Sequence, residues 1–205
     1  AASVEAAFAQ PWPAAVAHLP LTVFHTAALI IPHERSWAKF GPIRRVNVDG
    51  TRHVIDAARR AGADVLVSTS SASVALRPVR YFGAPWRAWP RGYVQVLDES
   101  DFDRPLRPHA EFFGNYAYSK ALAERLVCGA DAPGFRTGAV RPANGVYGTS
   151  HGDQLVGLCL RAGGFPSWIP HIVQNLVHAG HVGLGHLLFE AALLQPERPA
   201  CAGRP

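Results

Sequence analysis

Short apolar runs rich in β-branched residues alternate along this chain with longer stretches whose apolar positions recur at helical spacing. Leu21-Thr22-Val23-Phe24 is the first run. It opens into His25-Thr26-Ala27-Ala28, the pattern of a buried strand leading to a loop. Over residues 46–62, Val48, Thr51, Ile55 and Ala58 share one helical face; Arg59 and Arg60 complement the dipole in the last turn, and Gly62 is a natural stop. Val65-Leu66-Val67 predicts a second strand, ending in Ser68-Thr69-Ser70-Ser71. Residues 116–129 predict a helix with Ala117, Leu122, Ala123, Leu126 and Val127 as its apolar positions, and residues 136–140 a third strand that runs into Arg141-Pro142. Two further helices are expected over 152–162 and 181–194, whereas residues 1–20 are Ala-rich, broken by proline and weakly patterned.

Residues 76–115 break this rhythm. Prolines 78, 85, 90, 105 and 108 punctuate them, with Trp86, Trp89, Tyr93, Phe112 and Phe113 interspersed. They read as a long excursion with little regular structure, its aromatics either shaping an apolar pocket on the substrate side or packing locally. The remaining order of strands and helices is the alternation of a parallel α/β sheet in a single domain over 1–205, with any site along one sheet edge.

Composition narrows the function classes. Hydrophobic residues make up 48% and charged residues 17% of the 205 positions, a folded and not a disordered balance. The longest apolar stretch near the C-terminus is interrupted by His186 and Glu190, so no transmembrane segment is expected. The net charge of +5 is spread as scattered arginines with no basic run, which gives no sign of a nucleic-acid partner. Cys128, Cys159 and Cys201 are isolated, so neither a disulfide framework nor a zinc site is expected and a reducing compartment is the default. His178 and His181 stand three apart without a third ligand at a sensible spacing, and no metal is assigned.

The chemistry sits on the 116–129 helix. Tyr116 and Lys120 are four residues apart and share a face. A phenol with a pKa near 10 is a poor base at neutral pH, and a lysine cation beside it is expected to favour the phenolate. Such a tyrosine can take the proton of an alcohol while hydride leaves its carbon. With five tyrosines and two lysines, about 0.05 such spacings arise by chance, so the motif is suggestive though short. Tyr118, two residues from Lys120, points elsewhere. The hydroxyl cluster Thr69-Ser70-Ser71-Ala72-Ser73 at a strand end can supply a donor that holds a substrate oxygen against the phenol, although serine-rich strand ends are also common turns.

Taken in order, Val23-Phe24-His25-Thr26-Ala27-Ala28, Asn47-Val48-Asp49-Gly50-Thr51, Thr69-Ser70-Ser71-Ala72-Ser73-Val74, the segment from Tyr116 through Lys120 to Glu124, and Arg141-Pro142-Ala143-Asn144-Gly145-Val146-Tyr147-Gly148 resemble the extended short-chain dehydrogenase/reductase superfamily. The first of these pieces, the Ala121-Leu122-Ala123-Glu124 ending and the stretch Asn175-Leu176-Val177-His178-Ala179-Gly180-His181-Val182 look most like its 3β-hydroxysteroid dehydrogenase/isomerase branch. The resemblance spans about residues 21–203. It implies a Rossmann-like doubly wound parallel sheet, with residues 150–205 as part of the substrate-binding region. It implies an NAD- or NADP-dependent oxidoreductase acting on a secondary alcohol of a sterol-like or other bulky apolar small molecule. Sugar-nucleotide epimerases and dihydroflavonol-type reductases share the same triad. In the implied roles Tyr116 is the acid/base, Lys120 its partner and a ribose ligand, and Ser71 the substrate-orienting hydroxyl, with Ser70 as the lesser choice. Ala27 and Ala28 run past the cofactor, Asn47 organises the site, and Pro142 and Asn144 lie against the nicotinamide end. A homodimer and a cytoplasmic or membrane-surface location are compatible with this reading.

One family hallmark is missing. No glycine-rich strand–turn–helix of the kind that cradles a pyrophosphate occurs in the sequence; Gly180, Gly183 and Gly185 follow no strand and read as packing glycines. By analogy with the family the sequence starts about 60 residues late, so that the sheet is incomplete at the N-terminus. The absence of methionine agrees with this. An inactive truncated fragment is therefore the competing expectation.

Overall fold

The computed structural model describes residues 1–31, 33–78, 95–143, 145–148, 159, 161–164, 175–197 and 199–205. Strand β1 (Thr22–His25) lies parallel to β2 (Val65–Thr69), and β2 parallel to β3 (Arg136–Val140), in the order β1-β2-β3. Thr22 pairs with Val65 and His25 with Ser68, while Val65 pairs with Arg136 and Thr69 with Val140. All three strands therefore end together, and the loops that follow them share one edge.

Strand alternation sets the layers. Leu66 of β2 faces a core with Ile55, Ala58, Val127 and Phe135, which belongs to α3 (Gly50–Arg60) and α4 (Asn115–Cys128). Its neighbours Val65 and Val67 face the opposite side, where Leu193 and Phe189 of α5 (Ala179–Leu193) cover them. Continuous apolar strands buried on both faces are what a parallel sheet between helical layers requires. Gly62, with φ 72°, ends the α3 segment, and the Asp64 carboxylate then accepts from the Leu21 N–H at 2.8 Å and aligns the start of β2 with β1.

Several elements differ from the sequence reading. Helix α1 (Ala2–Phe8) forms in the weakly patterned N-terminus and packs on α3. The helix expected over 46–62 begins earlier, as α2 (Phe40–Arg44), and passes through a π-helical turn at Arg45–Asp49 before α3. Strands β4 (Gly145–Tyr147) and β5 (Leu176–His178) form a separate parallel pair that three-residue segments do not advertise. Of the expected 152–162 helix only residues 159, 161 and 162 are among those described, and Trp86, Trp89 and Tyr93 of the excursion lie outside them.

The described part of the excursion is stapled to the core by arginines. Arg107 donates to the carbonyls of Val74 and Leu76 and stacks 4.3 Å over Phe112. Arg125 of α4 donates to the carbonyls of Phe102 and Arg104. Phe112 itself is buried against Val74, Ala117 and Ala121, so this aromatic packs locally.

Gly138 is where β3 approaches α5 most closely. A Cβ there would come within 2.5 Å of the Phe189 ring and 3.0 Å of the Arg204 carbonyl oxygen. Gly138→Ala is therefore expected to cost about 1–3 kcal/mol through overpacking, read as a lowered urea midpoint at unchanged slope.

Candidate active site

Helix α4 carries Tyr116, Lys120 and Glu124 at successive four-residue steps, on one face over the ends of β2 and β3. Its first residue, Asn115, is fully buried and fixes where the helix begins. The Asn115 N–H donates to the Glu34 carbonyl at 3.1 Å, its side-chain amide donates to the Ser36 carbonyl at 2.9 Å, and its Oδ1 lies 2.6 Å from His109 Nε2. Lys120 is 6% exposed, and its Nζ donates to the Thr69 carbonyl at the end of β2, at 2.5 Å. Burial pulls its pKa down to about 8, against the opposing pull of the Glu124 carboxylate.

Beyond Thr69 the chain turns, and the two serines part. Ser70 is held by its backbone N–H to the Val140 carbonyl at 2.7 Å, and its hydroxyl donates to Glu124 Oε2 at 2.5 Å. Ser71 begins a short 3-10 turn (Ala72–Val74), and its Oγ accepts from the Ser73 N–H at 3.2 Å and from the Ser73 hydroxyl at 2.9 Å. Both acceptor positions being taken, the Ser71 proton is left to donate. It lies close enough to the Tyr116 phenol to pull its pKa down. The structure thus puts Ser71 near the Tyr116 phenol, leaves Lys120 one turn further along α4 with its ammonium on Thr69, and assigns Ser70 to the Glu124 carboxylate.

One expectation needs correcting. The Tyr116 pKa is raised, not lowered: burial outweighs the hydrogen bond from Ser71, which pulls the other way. The Lys120 ammonium is engaged with the Thr69 carbonyl. Four-residue spacing puts two side chains on one face without fixing where their tips meet.

Asn47, 2% exposed, lies inside the π-helical turn and spends its amide on its surroundings. Its Oδ1 accepts from the Leu29 N–H at 2.7 Å, and its Nδ2 donates to the Leu29 carbonyl at 3.0 Å and to Ser119 Oγ at 2.9 Å. The Ser119 hydroxyl donates in turn to the Tyr116 carbonyl at 2.7 Å. Asn47 therefore ties the loop after β1, which contains Ala27 and Ala28, to the first turn of α4. Pro142 lies on the other side, where its carbonyl accepts from the Ala72 N–H at 2.9 Å. Asn144 lies outside the described residues. Tyr118 packs instead into a cluster with Trp37, Phe40, His109 and Phe112.

Sequence reasoning gave no role to four buried groups. Glu124 receives both Nε and Nη2 of Arg141, at 2.8 and 2.6 Å, and Arg141 Nη1 reaches Asp101 at 2.8 Å. Thr51 donates to the Asn47 carbonyl at 2.7 Å, and its hydroxyl oxygen lies 2.8 Å from His25 Nε2, which makes Nε2 the protonated nitrogen of that ring. Glu124 at the next helical step after Lys120 was the available signal; nothing in the spacing of His25, Thr51 or Arg141 announced them.

A parallel sheet covered on both faces, with a serine, a tyrosine and a lysine gathered over its carboxyl edge, defines an α/β domain of the nucleotide-dependent dehydrogenase class. Residues 20–178 match an NAD-binding family described as male sterility protein. The decarboxylating sterol-4-alpha-carboxylate 3-dehydrogenase of Saccharomyces cerevisiae is 32% identical over 165 residues, which cover 77% of this chain and 42% of that protein. The human 3 beta-hydroxysteroid dehydrogenase type 7 is 34% identical over 188 residues, 84% of this chain and 45% of that one. Among solved structures, MoeE5 in complex with UDP-glucose and NAD is 28% identical with a TM-score of 0.56, covering 85% of this chain and 53% of that chain. The chain belongs to the extended short-chain dehydrogenase/reductase family. It spans less than half the length of the curated relatives it matches. No described helix is long and apolar enough to cross a membrane.

His25 makes the site sensitive to acid. Its burial, reinforced by the Lys120 charge, lowers its pKa from 6.5 to about 4. The unfolded chain takes up this proton first, so stability is full above the ordinary histidine range and falls as pH drops toward 4, by up to about 3 kcal/mol from this group. Urea midpoints measured from pH 7.5 to 4.5 should fall less steeply in His25→Gln than in the unsubstituted protein.

Proposed function

We propose that this protein is an NAD(P)-dependent oxidoreductase that interconverts a secondary alcohol and a ketone on a bulky apolar, sterol-like substrate. The observation that carries the reading is the placement of Tyr116 and buried Lys120 one turn apart on α4, with Ser71 at the neighbouring strand end, over the edge of a parallel sheet.

Each residue has a definite task. With both acceptor positions filled by Ser73, the Ser71 hydroxyl has its proton to donate, and it turns to the substrate oxygen when substrate is bound. Tyr116 takes the alcohol proton in oxidation and returns it in reduction. Burial keeps it a phenol at rest, the form that donates to a ketone oxygen. Lys120 has three N–H donors, one of them spent on Thr69; the other two suit the hydroxyls of a ribose. The donor set therefore fits the nicotinamide-ribose end of the cofactor, which when bound supplies the hydride acceptor or donor. The sequence holds no glycine-rich cradle for the pyrophosphate, so none of these residues is assigned to that end.

Support for an apolar substrate comes from the segment that Asn47 and Asn115 tie against the first turn of α4. It exposes Ile30 at 62%, with Trp37 at 59% just beyond it. The sterol-directed names of the relatives agree. A sugar-nucleotide substrate is the second reading, favoured by the likeness to a protein solved with UDP-glucose.

Titration of the purified chain with NADH and NADPH, followed by nicotinamide fluorescence, should give micromolar binding that Tyr116→Phe retains. Turnover on 3β-hydroxysterols should exceed that on nucleotide sugars and fall about 10²–10⁴-fold in Tyr116→Phe. A folded chain that binds neither cofactor form would overturn the dehydrogenase reading. Preference for nucleotide sugars would overturn the sterol assignment alone.

A further inference from the structure

Glu124 is the most buried carboxylate near the site, at 3% exposure, and it touches neither Tyr116 nor any open surface. Its two oxygens take the fork of Arg141, and one of them also takes the Ser70 hydroxyl. It stands one helical turn beyond Lys120, which donates to the neutral carbonyl of Thr69. A buried ammonium with only carbonyl ligands tends to lose its proton, and a carboxylate one turn away opposes that loss. The serine contact has a separate consequence. Because Ser70 is drawn toward Glu124, the next residue of the extended chain turns its side chain the other way, toward Tyr116.

We propose that Glu124 is a positioning residue: anchored by Arg141, its carboxylate keeps Lys120 charged and draws Ser70 aside so that Ser71 faces Tyr116. The assignment rests on the dehydrogenase reading for its meaning, while its physical content is independent of cofactor or substrate. Glu124 acts through Lys120 and Ser71 and is not itself a catalytic residue.

The sequence supplies a clean probe. It holds two lysines, Lys39 and Lys120, so protein labelled with 13C at lysine Cε gives two side-chain signals. Lys39 has 72% of its side chain exposed and serves as the internal reference. In the unsubstituted protein the Lys120 signal should titrate near pH 8. In Glu124→Gln its midpoint should drop by about 1 pH unit, with Lys39 unmoved. Should Glu124→Gln fail to fold because Arg141 loses its counter-charge, the double variant Glu124→Gln/Arg141→Met removes both charges together and should show the same drop. Ser70→Ala retains the carboxylate and should leave the Lys120 midpoint in place while lowering kcat on whichever alcohol the protein turns over. An unmoved Lys120 midpoint in folded Glu124 variants overturns the proposal. A shifted midpoint in a chain that binds no NADH or NADPH would uphold the coupling and count only against the dehydrogenase reading.

Discussion

Lys120 is only 6% exposed, and the packing around it follows from that constraint. Removing a charge from water costs several kcal/mol unless partners replace the solvent. Thr69 offers a carbonyl, and Glu124 supplies a negative charge one helical turn away; Glu124 is itself buried and needs a partner of its own. The fork of Arg141 meets that need, and Arg141 in turn reaches Asp101 and the Asp98 carbonyl in the excursion. A chain of alternating charges thus runs from the lysine outward, and it crosses α4, the ends of β2 and β3, and a loop far away in sequence. Their relative positions are set because each charge is stranded if the next one moves.

A neutral counterpart operates on the other flank. The amide of Asn47 satisfies both backbone groups of Leu29, as a neighbouring strand would, and so gives an irregular loop the hydrogen bonding of a sheet edge. The π-helical turn that contains Asn47 makes this reach compatible with a helix that otherwise packs normally on α4. Through Ser119, the same amide connects to the backbone of Tyr116. The loop beyond β1 and the tyrosine therefore share one buried polar network, and a displacement of either is transmitted to the other.

Where the sequence spoke clearly, it did so through periodicity. The strands at 22–25, 65–69 and 136–140 and the helix at 115–128 follow from apolar runs and helical spacing, and their order leads to a parallel sheet. The candidates Tyr116, Lys120 and Ser71 could be singled out because the first two share a helix face and the third follows a strand end. What remained hidden depends on tertiary contact. Strands β4 and β5 are three residues each and exist through their partner. The resting state of Tyr116 is governed by burial, which no spacing reports. The separation of Ser70 from Ser71 depends on Glu124, whose role becomes visible only once Arg141 is brought beside it.

The supports of the site lie on the inner side of the sheet. Its cross-links run inward: Lys120 to β2, Ser70 to β3, Glu124 to Arg141, Asn47 to the loop after β1. The outer edge of β1 contributes none of them. That edge borders an apolar groove of about 400 Å³ lined by Phe8, Trp12, Leu21 and Val23, and Thr22 Oγ1 is the one buried side-chain atom without a hydrogen-bond partner among the described residues. Strand β1 enters the network only through His25, whose ring rests on Thr51 and not on anything beyond the edge. The serine, tyrosine and lysine are therefore held by contacts with β2, β3 and α4.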